Sequence, residues 1–460
     1  MPASDKHPNY TASLPQWKLV RDCVEGAPAI EKGGVKYLPR PNAGEYTYET
    51  DVRYQQYLKR ASFVSFTSST LEGLLGMVFR KHSQVELQSS IEYLKDNATG
   101  SGISLDQMAR SSLSSVLQCG RHGFLVDYPE ATAGLSVQSV SSLGLRANIL
   151  PYRAENVLNW QVATINGITV LSLVTLCEIH QELSEDGFSF EEKEYSRVLR
   201  LVDGLYQQEL YDNEEMLVSV AEPRMSTGQR WNIIPFTFCG ATNNDYVIDK
   251  SPLYDIANVN ISHYRNSADF EESSFIVGQP TLAISGLSQT WIDNTMKGGV
   301  SMGSGTSILL PEGGNAFLLQ AGSNSMPEIG MKMKEQQMVM LGARLITDSG
   351  GTETAEAARI RYAGQNSKLS NVVGNLESAL MQCFEWAMLF MGGTGENEYE
   401  LNHEYYDKTI DAQRIMAEIQ LMDRGVTAMT DIRSSMREHG VIDSDRTDEE
   451  INSEAEITDL

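Results

Sequence analysis

The chain has 460 residues, 41% of them hydrophobic and 21% charged, a balance that excludes a disordered polymer and leaves room for roughly two to four domains. Its net charge of −25 is uneven: residues 1–81 carry 11 basic and 8 acidic side chains, and the remainder carries −28. Such an acidic body excludes tight gripping of duplex DNA, because that affinity comes from neutralising phosphates and releasing counterions; it suits either plain solubility or a surface that faces nucleic acid without sticking to it.

No apolar run reaches the roughly 18 residues that cross a bilayer, and the start, Met1-Pro2-Ala3-Ser4-Asp5-Lys6, lacks the apolar core of a signal peptide. The expectation is a soluble, cytoplasmically made protein with no membrane partner. Five scattered cysteines (Cys23, Cys119, Cys177, Cys239, Cys383) contain no CxxC pair. They read as small hydrophobes in a reducing compartment and not as a metal site.

In chain order, residues 1–45 hold six prolines and predict an irregular arm with short helical pieces. From Tyr46 to about Lys81 one long helical pattern is expected, with Tyr54, Tyr57, Leu58, Phe63, Phe66, Leu71, Leu74, Leu75 and Val78 at threes and fours. A helix over 104–119 should end at the turn Gly120-Arg121-His122-Gly123, followed by a strand over 124–128. The runs 148–152, 165–180, 195–203, 204–211 and 231–238 predict an antiparallel meander, with a hairpin turning near Asp203-Gly204. Meander and helices together make an α+β body.

Residues 253–277 predict a helix of roughly 37 Å whose faces are polar and small apart from the thin stripe Ile256, Val259, His263 and Phe270. Such a helix is not expected as the core of a monomer; it should be solvated or packed against copies of itself. Short strands at 281–284, 306–310 and 316–319 and a Gly/Ser stretch at 298–305 follow, then a helix over 326–346. Thr347-Asp348-Ser349-Gly350-Gly351 breaks that helix. A third runs from Glu353 to Met391, with Gly364 and Gly374 as kink points and Gly392-Gly393 as its stop. Beyond it come a strand over 398–405, helices over 410–423 and about 427–439, and a tail, 441–460, with eight acidic residues and one basic.

The chemical motifs are weak. Gly299-Val300-Ser301-Met302-Gly303 matches the nucleophile-elbow pattern but lacks the strand before and the helix after that would strain the turn; a hydrolase at Ser301 stays only as an alternative. Gly298 and Gly303 have phosphate-loop spacing, but Ser304 stands where the lysine is required, so no nucleotide cofactor is implied. The seven histidines form no metal-binding pattern, and His263 reads as a packed or inter-subunit residue. Lys332 and Lys334 are either solvated helix charges or weak phosphate contacts in a channel wall. Met331, Met333, Met338 and Met340 suit a subunit contact or core filling equally.

The stretches Gly123–Pro129, Tyr152–Trp160, His263–Phe270, Gly278–Thr281 and Glu353–Ile360, taken in that order, resemble tailed-bacteriophage portal proteins, specifically a prophage branch long catalogued as a domain of unknown function. The resemblance spans most of residues 50–395. It implies a non-enzymatic ring, usually a dodecamer, in the virion at one capsid vertex, assembled in the host cytoplasm. Double-stranded DNA would pass through it without sequence-specific contact during packaging and ejection. The partners it implies are the terminase large subunit, the major capsid or scaffold protein, and a tail adaptor. Its parts would be a wing (1–252), stem helices (253–277 and 323–346), a clip (278–322), a tunnel loop (347–352), a long kinked wing helix (353–394), and a crown with the acidic tail (395–460). Implied tunnel residues are Thr347, Asp348, Ser349, Gly350, Gly351, Thr352, Lys332 and Lys334, and implied docking residues are Trp291, Lys297, Gly298 and Gly299. A virion adaptor that never touches DNA is the other structural reading.

Overall fold

The computed structural model describes residues 2–41, 47–128, 145–165, 167–184, 188–279, 281–295, 310, 312–319, 325–346, 368–403, 405, 420–422, 424–438, 442 and 446–452. It forms two compact units, Met1–Leu401 and Asn402–Leu460. The architecture is α+β, with antiparallel strand pairing.

The N-terminal segment is more regular than its prolines suggest. Helix α1 (Pro8–Glu25) begins at His7, whose Nδ1 accepts from the Asn9 N–H at 3.1 Å. Pro8 occupies the first turn, where its missing N–H costs nothing. Pro15 lies inside the helix, yet burial of Tyr10, Trp17, Val20 and Cys23 outweighs the one backbone bond it removes. The expected irregular arm is thus mostly helix, continued by α2 (Ala27–Gly33).

The single helix expected over 46–81 is two, α3 (Tyr48–Arg60) and α4 (Phe66–Val78), separated by residues 61–65. After β1 (Gln84–Glu86) comes α5 (Leu105–Cys119), which opens with a capping box. Ser104 Oγ accepts from the Gln107 N–H at 3.3 Å, and Gln107 Oε1 accepts from the Ser104 N–H at 3.2 Å. Gly120 ends it at φ 74°, and a Cβ there would sit 2.3 Å from the Asp249 carbonyl oxygen, so no other residue fits. The expected four-residue turn reduces to this glycine, because β2 (Arg121–Asp127) starts at once.

β2 is central in a three-stranded sheet, between β3 (Asn148–Arg153) and a later strand, Phe236–Gly240. A five-stranded meander follows: β4 (Val157–Ile165), β5 (Ile168–Leu183), β6 (Phe190–Val202), β7 (Leu205–Tyr211) and β8 (Leu217–Ala221). The expected hairpin is present. Val202 pairs with Leu205 across Asp203 (φ 51°) and Gly204 (φ 77°), the two left-handed residues a tight I′-type turn needs. The strand expected over 231–238 starts later, as β9 (Phe236–Gly240), with Trp231 buried ahead of it. Arg197 joins the two sheets, its Nη1 donating to Asp127 at 3.0 Å and its Nε lying 2.8 Å from Glu178. Arg21 bonds Glu155 at 2.7 Å; burial pushes that carboxyl up, and the guanidinium more than reverses the effect.

Next along the chain are α6 (Tyr254–Val277), β10 (Thr281–Ser285), α7 (Gln289–Thr295), β11 (Asn315–Leu319) and α8 (Met326–Ile346). Of the third long helix, α9 (Lys368–Met391) falls within the described residues, and Gly364 and the stretch 353–367 lie outside them. α9 packs on α5 and on the three-stranded sheet, burying Leu369, Val373, Leu376, Leu380, Phe384 and Ala387. β12 (Glu398–Glu400) then pairs with β1. In the second unit, α10 (Met429–Glu438) buries Ile432, and Arg437 pairs with Asp448. Most of the helix expected over 410–423 lies outside the described residues. Of the cysteines, Cys23, Cys119, Cys239 and Cys383 are buried and Cys177 is half-buried, all as free thiols.

The first half of α6 is core, which corrects the expectation that this helix could not be. α1, α3, α4 and α8 all contact it, and Ile256, Ala257, Ile261, Tyr264 and Ala268 are buried. Its polar residues serve the chain break at 61–65. Asn260 Nδ2 donates to the Val64 carbonyl at 2.8 Å, and its Oδ1 accepts from the Thr67 N–H at 3.2 Å and the Thr67 hydroxyl at 3.0 Å. Ser267 Oγ lies 2.7 Å from the Ser62 carbonyl oxygen and accepts from the Ser62 N–H at 3.1 Å. These bonds replace the helical ones lost between α3 and α4.

Two predictions follow from this packing. Asn260→Leu leaves the buried Thr67 N–H and hydroxyl without their acceptor, and should lower unfolding free energy by about 3 kcal/mol, read as a lower urea midpoint at unchanged slope. His122 is fully buried, and among the described residues neither ring nitrogen has a hydrogen-bond partner; burial drives its pKa down to about 3. Its neutral form contributes stability that is complete above the unfolded pKa of 6.5 and is lost as pH falls toward 3. Across that range His122 should lower stability by about 1.4 kcal/mol per pH unit, and His122→Phe should flatten the slope.

Candidate functional site, a helical hairpin with a strand-paired tip

α6 and α8 lie side by side and are tied across their length. Lys334 Nζ donates to the Ser262 carbonyl at 2.9 Å, and His263 Nε2 lies 3.3 Å from Glu335 Oε1. Gly330 faces Asn266 so closely that a Cβ would come within 2.4 Å of its Nδ2. His263 is therefore a packed residue bridging the two helices, with Phe66 edge-on at 5.8 Å.

Past its buried half, α6 is gripped by α3. Tyr57 donates its hydroxyl to Asp269 at 2.6 Å, Arg60 and Arg53 both pair with Glu272, and the Arg60 guanidinium sits 3.7 Å from the Phe275 ring centre. Arg265 Nε donates to the Tyr37 carbonyl at 2.8 Å. The joint between helical body and hairpin is thus a belt of charge-assisted bonds around residues 265–275.

The tip consists of β10 and β11, paired antiparallel from Thr281↔Leu319 to Ser285↔Asn315, with the short α7 between them. α7 and the position of Trp291 in it, half-buried and one turn after Ser288, were not legible as a helix from the sequence. Every residue of β11 is exposed. Lys297, Gly298, Gly299, Ser301 and all but the last residue of the strand expected over 306–310 lie outside the described residues.

The implied tunnel residues separate. Thr347, Asp348, Ser349, Gly350, Gly351 and Thr352 lie outside the described residues. Lys332 is exposed and bonded to Glu328 at 2.7 Å, which raises its pKa. Lys334 points inward to α6, and burial, followed by the nearby Arg265, lowers its pKa. The structure does not bring these two lysines together: one is a surface charge and the other an interhelical tie.

The methionine cluster also separates, into two opposite faces of α8. Met331, Met338, Leu341 and Leu345 face inward, with Met338 and Leu345 buried. On the other side Ile329, Met333, Gln336 and Met340 recur at helical spacing, and Ile329, Met333 and Met340 are 48%, 57% and 56% exposed. A groove of about 210 Å³ between α4 and α8, lined by Phe66, Leu74, Met77, Met338 and Val339 among others, adjoins the helix. Sequence reasoning missed the outer stripe. The spacing from 329 to 340 signalled it, but the inner stripe interleaves with it and blurs the period.

Residues 252–391 match the model of a family described as Domain of unknown function (DUF4055). The match takes in the His263–Phe270, Gly278–Thr281 and Glu353–Ile360 stretches, and so agrees with the resemblance drawn from them. No match was found among curated proteins. Among solved structures, the chain is similar to a component of the virion of native gene transfer agent (GTA) particle, at 11% identity and TM-score 0.41, over 88% of this chain and 96% of that one. It is likewise similar to one from the neck of native GTA particle computed with C12 symmetry, at 12% identity and TM-score 0.40, over 88% and 98%. Among the described residues, no helix is long and apolar enough to cross a membrane.

Lys334→Met removes the tie to Ser262 while keeping side-chain volume. It should cost about 1 kcal/mol and speed amide hydrogen exchange along 326–346, with exchange in β2 and α5 unchanged.

Proposed function

We propose that this chain is the portal subunit of a tailed-phage-type particle, a non-enzymatic ring at one capsid vertex through which double-stranded DNA enters and leaves. The observation that carries the reading is α8, which has apolar residues on two opposite sides while, among the described residues, its own chain covers only one. A helix of that kind is buried on both sides in its working state, and in a ring each copy offers the missing wall to the next. The ordered stretches that resemble portal proteins support the same assignment, as does the net charge, which limits adhesion to passing duplex.

In this reading the body, 1–252 with α9, is the wing; α6 and α8 are the stem; 278–322 is the clip, facing the terminase motor and later the tail adaptor; 347–352 is the tunnel loop; and 395–460 is the crown. The ring is a dodecamer, and the capsid or scaffold protein meets the wing.

Negative-stain microscopy of the purified protein should show rings. Met333→Asp combined with Met340→Asp should abolish them, leaving folded monomers with an unchanged melting temperature. A chain that stays monomeric at every concentration and salt tested would sink the proposal. Replacing 347–352 by a rigid linker should leave capsids formed but unfilled, whereas an adaptor that never meets DNA would tolerate the change.

A further inference from the structure

In the five-stranded sheet, β5 and β6 outrun their neighbours. β4 pairs with β5 only as far as Leu176, and β7 pairs with β6 only from Ser196 onward. Beyond those points Cys177–Leu183 and Phe190–Tyr195 pair only with each other among the described residues, making a two-stranded ribbon that projects by roughly 20 Å. Two strands alone are marginal in water, so a ribbon of this length needs cover.

The register says what kind. Leu183 stands opposite Phe190, Gln181 opposite Glu192, and Ile179 opposite Glu194, so these six share one face. On it, Ile179, Leu183 and Phe190 are 60%, 57% and 65% exposed. Glu192 and Glu194 are exposed beside them; the first accepts from Gln181 Nε2 at 3.4 Å and the second from Cys177 Sγ at 3.3 Å, and among the described residues neither forms an ion pair. Residues 178–194 hold seven acidic side chains and one lysine. The cover must therefore be apolar and cationic.

The chain carries a surface of that chemistry. After α2, the short 3₁₀ turn Gly34–Lys36 leaves Val35 51% exposed between exposed Lys32 and Lys36, with exposed Pro39 beyond. Among the described residues neither lysine pairs with a carboxylate; Lys36 Nζ donates to the Tyr37 hydroxyl at 3.1 Å. By contrast Arg60 and Lys250 already meet Glu272 and Asp255. Lys32 lies in the last turn of α2 and Lys36 in the turn that follows it, so the chain offers two exposed ammonium groups with Val35 between them in sequence.

We infer that the β5–β6 ribbon of one copy docks on the Lys32–Pro39 surface of the next, with Ile179, Leu183 and Phe190 against Val35 and Pro39 and with Glu192 and Glu194 facing Lys32 and Lys36. This rests on the ring reading. The contact joins two different patches, so it is heterologous and propagates around a closed ring.

The test is a charge swap on the full chain, read by light scattering and negative-stain microscopy with thermal melting as the folding control. Glu192→Lys/Glu194→Lys should shift rings to monomers at physiological salt, and so should Lys32→Glu/Lys36→Glu. Mixing the two variants, or combining all four substitutions in one chain, should restore rings. Rings that survive both doubles, leaving the ribbon to a different protein, would overturn the inference, as would a folded quadruple variant that stays monomeric. Either result leaves the ring intact in the unchanged protein, whereas an unchanged protein without rings refutes the ring itself.

Discussion

The hydrogen bonds from Asn260 and Ser267 to the backbone of residues 62–67 organise the helical half of the molecule. A helix with an amide and a hydroxyl in its buried face is a poor hydrophobic surface, and α3 and α4 could in principle run on as one helix. Together the two costs cancel: the chain break exposes carbonyls and N–H groups, and the polar face of α6 satisfies them inside the core. The same seam fixes the direction of α3, and so brings Tyr57, Arg53 and Arg60 onto Asp269 and Glu272.

That seam also marks where sequence and structure part. Elements with one dominant period were legible: α5 with the glycine that ends it, the 202–205 hairpin, the span of α8, and the α+β class. What was not legible depended on a distant partner. Asn260 and Ser267 looked like a solvated face because their partners lie some two hundred residues away. The break at 61–65 looked helical because Phe63 and Phe66 keep the spacing. Pro15 suggested irregular chain because the burial of Trp17 and Val20 is a tertiary gain that local propensity does not contain. Within the hairpin, Lys332 and Lys334 could not be told apart in sequence, and only packing against α6 makes one a tie and the other a surface charge.

α8 shows how one helix can satisfy two demands. Its inner stripe and its bond from Lys334 commit it to α6, while its outer stripe, interrupted by Gln336, exposes Ile329, Met333 and Met340. Flexible thioethers at Met333 and Met340 suit a contact whose geometry shifts, since they repack at little cost.

The burial of α6 ends at Ala268, and its remaining nine residues carry the tip without an apolar anchor of their own. Mechanically this is a cantilever whose fulcrum is ionic. A load applied at β10 and β11 is transmitted as torque to the carboxylates Asp269 and Glu272, where a tyrosine hydroxyl and two arginines meet it. Because the Arg60–Glu272 pair is largely shielded from water, added salt would screen this fulcrum only weakly, and the arm would keep its stiffness across ionic strengths that loosen exposed pairs.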